Sequence, residues 1–151
     1  MENETARGPS SKLTTDFNPA AISNLQVVIP HRAPQLTRAA LRYASRFASD
    51  LNVRIRLIDV HVVPYGVPLD EPTVNPRYVA RRLSRFVQDS TIQVSAEVIY
   101  ARDWEHGLRR ALAPGSLILI AIKRSWWRTS EKRLAARLRK SGHQVIWVES
   151  E

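Results

Sequence analysis

Five short apolar runs, separated by four stretches of helix length, constrain this chain more than any other feature. The runs are Leu25–Pro30, Val53–Val63, Thr91–Tyr100, Leu117–Ile122 and Gln144–Val148. Runs of this size, bounded by turn residues, read as strands. From Gln35 to Leu51 the residues Leu36, Ala40, Tyr43, Ala44, Phe47 and Leu51 share one helical face. Arg38, Arg42, Arg46 and Asp50 mark the other, and Pro34 stands where the helix would begin. A second helix is expected over about Arg77–Gln88, with Val79, Leu83, Phe86 and Val87 inward. Asp103 is placed to cap a third, running through Leu108 and Leu112 and stopping at Pro114-Gly115. Thr129 or Ser130 is placed to cap a fourth, with Leu134 and Leu138 on one face and Gly142 at its C′ position. Prolines 64, 68, 72 and 76 keep the connection after the second strand irregular.

Strands that alternate with helices need parallel pairing and right-handed crossovers, so the expected fold is α/β with helices on both faces of a five-stranded parallel sheet. Leu25–Pro30 and Leu117–Ile122 are apolar throughout, as central strands are. Thr91–Tyr100 alternates, with Ile92, Val94, Ala96 and Val98 against Gln93, Ser95 and Glu97, as an edge strand with one wet face does. The order 3-2-1-4-5 places them accordingly. Its ligand crevice lies beyond the carboxyl ends of strands one and four, where they diverge. The 151 residues suit one domain over 25–151, behind a tail over 1–24. That tail carries Pro9, Pro19 and scattered Ser, Thr and Asn without periodicity, and is expected to be disordered.

The chain has no cysteine, which excludes disulfides and cysteine-built zinc sites. Leu117–Ile122, the longest apolar run, is too short to span a bilayer, and the start is polar, with Glu2 and Glu4. A cytoplasmic protein without membrane insertion is expected. The net charge of +9 does not come from the tail, where Arg7 and Lys12 face Glu2, Glu4 and Asp16. The folded part therefore carries the basic excess. It either attracts a polyanion or simply keeps the surface solvated.

From Val27 the sequence VVIPHRAPQLTRAALRYASRFASDLNVRIRLIDVHVVP resembles the opening of universal stress proteins. The segments EVIYARDW, LRRALAPGSLILIAI and GHQVIWVE are similar to that family's second half. R-A-A-L at Arg38–Leu41 and H-V-V-P at His61–Pro64 are local echoes. The resemblance covers about Leu25–Glu149. It implies a flavodoxin-like, HUP-type fold of the adenine-nucleotide alpha-hydrolase kind, and often a homodimer. It also implies an ATP site built on a glycine-rich loop after strand four, G-x2-G-x9-G-(S/T), whose backbone N–H groups approach the phosphates. Here that stretch reads Lys123-Arg124-Ser125-Trp126-Trp127-Arg128-Thr129-Ser130, without glycine. Only Thr129-Ser130 stands where the closing pair would be. His31 or Arg32 takes the place of the family's aspartate near the adenine, and Arg102 that of a glycine before the third helix. The expectation is a binding or regulatory domain that lacks the family's ATP site and holds no cofactor.

The same loop is the most unusual segment on its own terms. Lys123, Arg124 and Arg128 supply charge, and Ser125, Thr129 and Ser130 supply hydroxyls, ahead of a helix N-terminus that favours anions. With His31 and Arg32 they form the candidate anion or nucleotide site. Trp126 and Trp127 either stack on a base or pack as a lid over the seam between helix and sheet. Arg133, Arg137 and Lys140, beside Lys132 and Arg139, form a basic stripe on the last helix that is suited to nucleic acid or another polyanion. His31 and His61 fall at neighbouring strand ends without a clear third ligand, so no metal is expected; His106 and His143 read as surface residues. No G-x-S-x-G, P-loop or G-x-G-x-x-G occurs, so no catalytic residue is assigned. The fifth strand presents Val145, Ile146, Trp147 and Val148 at an open edge, which pairing with a second copy would cover.

Overall fold

In this computed structural model the described residues are 25–71, 74–90, 92–125, 127 and 129–150, the side chains of 47 and 49–51 aside. The strands are β1 (Gln26–His31), β2 (Arg54–Val62), β3 (Val94–Ala101), β4 (Leu117–Lys123) and β5 (Gln144–Ser150). The helices are α1 (Pro34–Leu51), α2 (Pro76–Gln88), α3 (Trp104–Ala111) and α4 (Ser130–Lys140). All strand pairings are parallel and the sheet order is β3-β2-β1-β4-β5, as the burial pattern of the sequence implies.

Alternation along the strands divides the core into two layers. Val27 and Ile29 of β1 pack with Leu36, Ala40 and Ala44 of α1 and Leu83 of α2. Val28, one residue out of phase, packs on the opposite face with Leu108 of α3 and Leu134 and Leu138 of α4. The helix ends follow local chemistry. Asp103 accepts a hydrogen bond from the His106 N–H at 2.8 Å, and Thr129, rather than Ser130, accepts one from the Lys132 N–H at 3.3 Å. Asn75 caps α2 by accepting from the Arg77 N–H at 2.9 Å. Asn52 ends α1 at φ 50°, and Gly142 follows α4 at φ +92°. Gly107 lets α3 approach the sheet, since a Cβ there would stand 2.6 Å from the Ala101 Cβ and 2.7 Å from Val60 Cγ1.

Two boundaries move. β3 starts at Val94 rather than Thr91, because Ser90 Oγ accepts the Ile92 N–H at 3.3 Å and holds a turn there; Thr91 itself lies outside the described residues. Ala96 is exposed, since the helical layer reaches β3 at Val94 and Val98 on either side of it. β5 continues past Val148 to Ser150, which pairs with Lys123. The tail expected over 1–24 lies outside the described residues.

Candidate functional site: the crevice between β1 and β4

β1 and β4 are in register only at Val27–Leu117 and Val28–Ile118, and they separate toward their carboxyl ends. This is where a doubly wound sheet offers a ligand crevice. Among the described residues, a cavity at this junction, lined among others by Pro30, Arg32, Leu36, Ile120 and Glu131, holds about 10 Å³, roughly the space of one water. Glu131 lies in the first turn of α4, where its negative charge suits the helix dipole and opposes a phosphate.

The two residues at the end of β1 part company. The Arg32 guanidinium lies 4.6 Å from the centroid of the Trp104 ring, on the α3 side of the sheet. His31 turns to the α1–α2 side, where Nδ1 is 2.7 Å from Thr37 Oγ1 and the ring is 5.2 Å from Phe86. Thr37, only 2% exposed, donates its hydroxyl proton to the Ala33 carbonyl at 3.1 Å. Its oxygen therefore accepts from His31, which places the imidazole proton on Nδ1 and leaves Nε2 as an acceptor. Burial lowers the His31 pKa; the nearby Asp59 carboxylate opposes that and Arg82 adds to it. His61 sits edge-on to Tyr100, with ring centroids 5.7 Å apart. Among the described residues no group of three His, Asp or Glu could hold a metal ion.

The loop after β4 is occupied with its own hydrogen bonds. Ser125 Oγ accepts the Trp127 N–H at 3.2 Å, and the Ser125 carbonyl accepts from Lys132 Nζ at 2.6 Å. Thr129 takes the Lys132 N–H, one of the donors an anion at this helix end would use. Lys123, Arg124 and Ser130 are exposed. Trp127 is 72% exposed, so it is not a lid over the seam. Trp126 and Arg128 lie outside the described residues. Among the described residues, His31 and Arg32 thus turn to different partners, while Lys123 and Arg124 stay exposed. Arg102, at the position of the family's glycine, donates to the Val63 carbonyl at 3.3 Å and also to that of Pro64, pinning the end of β2.

The basic stripe of α4 is partly spent in the same way. Arg137 pairs with Glu105 at 2.8 Å, and Glu105 also holds Arg109 at 2.9 Å. Arg139 donates to the Val145 carbonyl at 2.8 Å and lies 4.4 Å from the Trp147 ring centroid. Arg133 and Lys140 are exposed, and so is His106, whereas His143 is half-buried with Nδ1 unpartnered. On β5, Val145 belongs to the core and Val148 is half-buried. Ile146 and Trp147 remain 38% and 42% exposed.

Solved structures share this architecture. A universal stress protein from Archaeoglobus fulgidus is 13% identical, with a TM-score of 0.56 over 82% of this chain and 92% of that one. One from Burkholderia pseudomallei is 19% identical, with a TM-score of 0.53 over 83% and 96% of the two chains. A universal stress protein in complex with cAMP is 12% identical, with a TM-score of 0.52 over 84% and 98%. The chain has the universal stress protein fold. No protein-family model matches it, and no curated protein matches it by sequence. After β4, residues 123–130 contain no glycine. Among the described residues no helix is long and apolar enough to cross a membrane. A feature that the sequence reading passed over is a groove of about 460 Å³ between α1 and α2, lined by Arg38, Arg42 and Arg46. Their i, i+4 spacing was its only signal, and that spacing reads equally as a solvated helix face.

Proposed function

We propose that this chain is a non-enzymatic binding or regulatory domain of the universal stress protein type, with its β1–β4 crevice closed to nucleotide. The crevice volume carries the reading: about 10 Å³, with Glu131 on its wall, against the roughly 300–1,000 Å³ of small-ligand sites. The proposal includes a stress-response role in the cytoplasm, which has only the fold likeness in its support. Calorimetry with Mg-ATP, AMP and cAMP at physiological salt tests the reading, repeated on Lys123→Ala and Arg124→Ala; cAMP is included because one protein of this fold was solved with it. No loop-dependent heat is expected. Micromolar binding lost in both variants would mean that the basic loop holds nucleotide without glycine, and the reading would fall.

The open edge of β5 favours a homodimer. Ile146 and Trp147 stay substantially exposed there, and an apolar strand edge invites pairing. Light scattering after size exclusion, at tens of micromolar, should give twice the chain mass. A monomer at that concentration removes this part of the reading. Polyanion binding through α4 has less support, because Lys132, Arg137 and Arg139 are already engaged.

A further inference from the structure

We propose that the groove between α1 and α2 binds a small polyphosphorylated anion. Arg38, Arg42 and Arg46 follow one another at four-residue steps, about 6 Å each, along one face of α1. They line a space of about 460 Å³, within the range of small-ligand sites. That space shares Arg38, Phe86 and Asp89 with a second hollow of about 150 Å³, which Arg82, Arg85 and His31 also line. Five arginines thus converge from two helices, with Asp89 as the carboxylate among the lining residues of either space.

Charges of one sign at i, i+4 destabilise a helix, so nothing in the stability of α1 calls for this stripe. Some guanidinium groups elsewhere are tied down, Arg56 to Glu97, Arg137 to Glu105 and Arg139 to the Val145 carbonyl, while others such as Arg110 and Arg133 lie singly on the surface and line neither hollow. Among the described residues no ion pair engages Arg38, Arg42, Arg46, Arg82 or Arg85. Walls on which cations outnumber the single Asp89 carboxylate concentrate counter-ions, and the guanidinium fork matches phosphate oxygens two at a time.

The aromatic geometry selects the class of anion. Phe86 is half-buried, with the Arg38 guanidinium 5.4 Å from its centroid and the His31 ring at 5.2 Å. A base stacking on Phe86 would compete with these two neighbours, and single-stranded nucleic acid leans on such stacking. From Arg38 to Arg46 the arginines extend along two turns, about 12 Å, so a ligand with several phosphates can meet more than one of them. This inference is independent of the closed crevice, which lies at the junction of β1 and β4.

The test is calorimetry of the full chain with inorganic tripolyphosphate at physiological salt. Orthophosphate and a single-stranded oligonucleotide serve as comparison probes. Arg42→Ala and Arg46→Ala occupy exposed helix positions, where alanine is the better helix former, so both variants should fold. Tripolyphosphate should bind more tightly than orthophosphate. Each substitution should weaken it about tenfold, the worth of one charge-assisted hydrogen-bonding group. Arg133→Ala with Lys140→Ala removes the same charge as the two groove substitutions together and should leave the affinity within about twofold if the groove, not net charge, holds the ligand. Absence of tripolyphosphate binding overturns the proposal, as do equal losses in the groove and control variants. Tighter binding of the oligonucleotide than of tripolyphosphate also overturns it, in favour of nucleic acid. Loss confined to Lys123→Ala and Arg124→Ala would count against both this site and the closed crevice.

Discussion

The guanidinium of Arg32 stacks on the Trp104 ring at 4.6 Å, joining the residue after β1 to the first residue of α3. A cation that could have met a phosphate is thereby committed to the fold. Arg32→Ala should lower stability by about 0.5–1 kcal/mol, the range of exposed cation–π pairs. Urea denaturation with an unchanged m-value checks it. Wild-type stability in the variant would show that the stack contributes nothing.

Gly107 sets two effects against each other. Alanine in a helix interior gains about 1 kcal/mol over glycine. A Cβ at this position meets Ala101 and Val60 side chains at 2.6 and 2.7 Å, in a packed core. Overpacking of that kind costs about 1–3 kcal/mol, so Gly107→Ala should lower the thermal midpoint. A raised midpoint would mean that α3 retreats from the sheet without penalty.

Thr129 separates the two roles considered for the loop. As the cap of α4, its Oγ1 accepts the Lys132 N–H at 3.3 Å. Thr129→Ala should cost about 1 kcal/mol of stability while Thr129→Ser retains most of it. Both variants should bind tripolyphosphate as wild type does. A selective loss of anion affinity in Thr129→Ala would return the loop to the binding site.

The fold was legible because its determinants are local and repeated. Apolar Leu117–Ile122, alternating Thr91–Tyr100 and the turn residues between them fix type, order and layer together. The candidate site was legible only in its chemistry. The adjacent residues His31 and Arg32 turn to different helices, His31 to Thr37 of α1 and Arg32 to Trp104 of α3, and no spacing in the sequence reports that divergence. Lys132 serves the Ser125 carbonyl, a contact set by how the loop folds back and not by any spacing in sequence. The arginines of α1 are periodic in sequence. That they face Arg82 and Arg85 across a groove depends on how α1 and α2 pack, and a helical pattern does not report that.

His31 gives the fold a pH dependence whose sign is fixed by its surroundings. Burial favours the neutral ring and lowers its pKa from the ordinary 6.5, with Arg82 assisting and Asp59 opposing. The folded state then binds fewer protons than the unfolded state, so stability rises with pH. The contribution is complete above 6.5, the unfolded value, and is lost as pH falls through the lower folded pKa. His31→Asn keeps a donor toward Thr37 and cannot titrate. Urea midpoints between about pH 7.5 and pH 5 should therefore fall more for wild type than for His31→Asn. Equal slopes would show that His31 does not titrate differently on folding. A steeper fall in the variant would mean that Asp59 outweighs burial and that the folded ring prefers its charge.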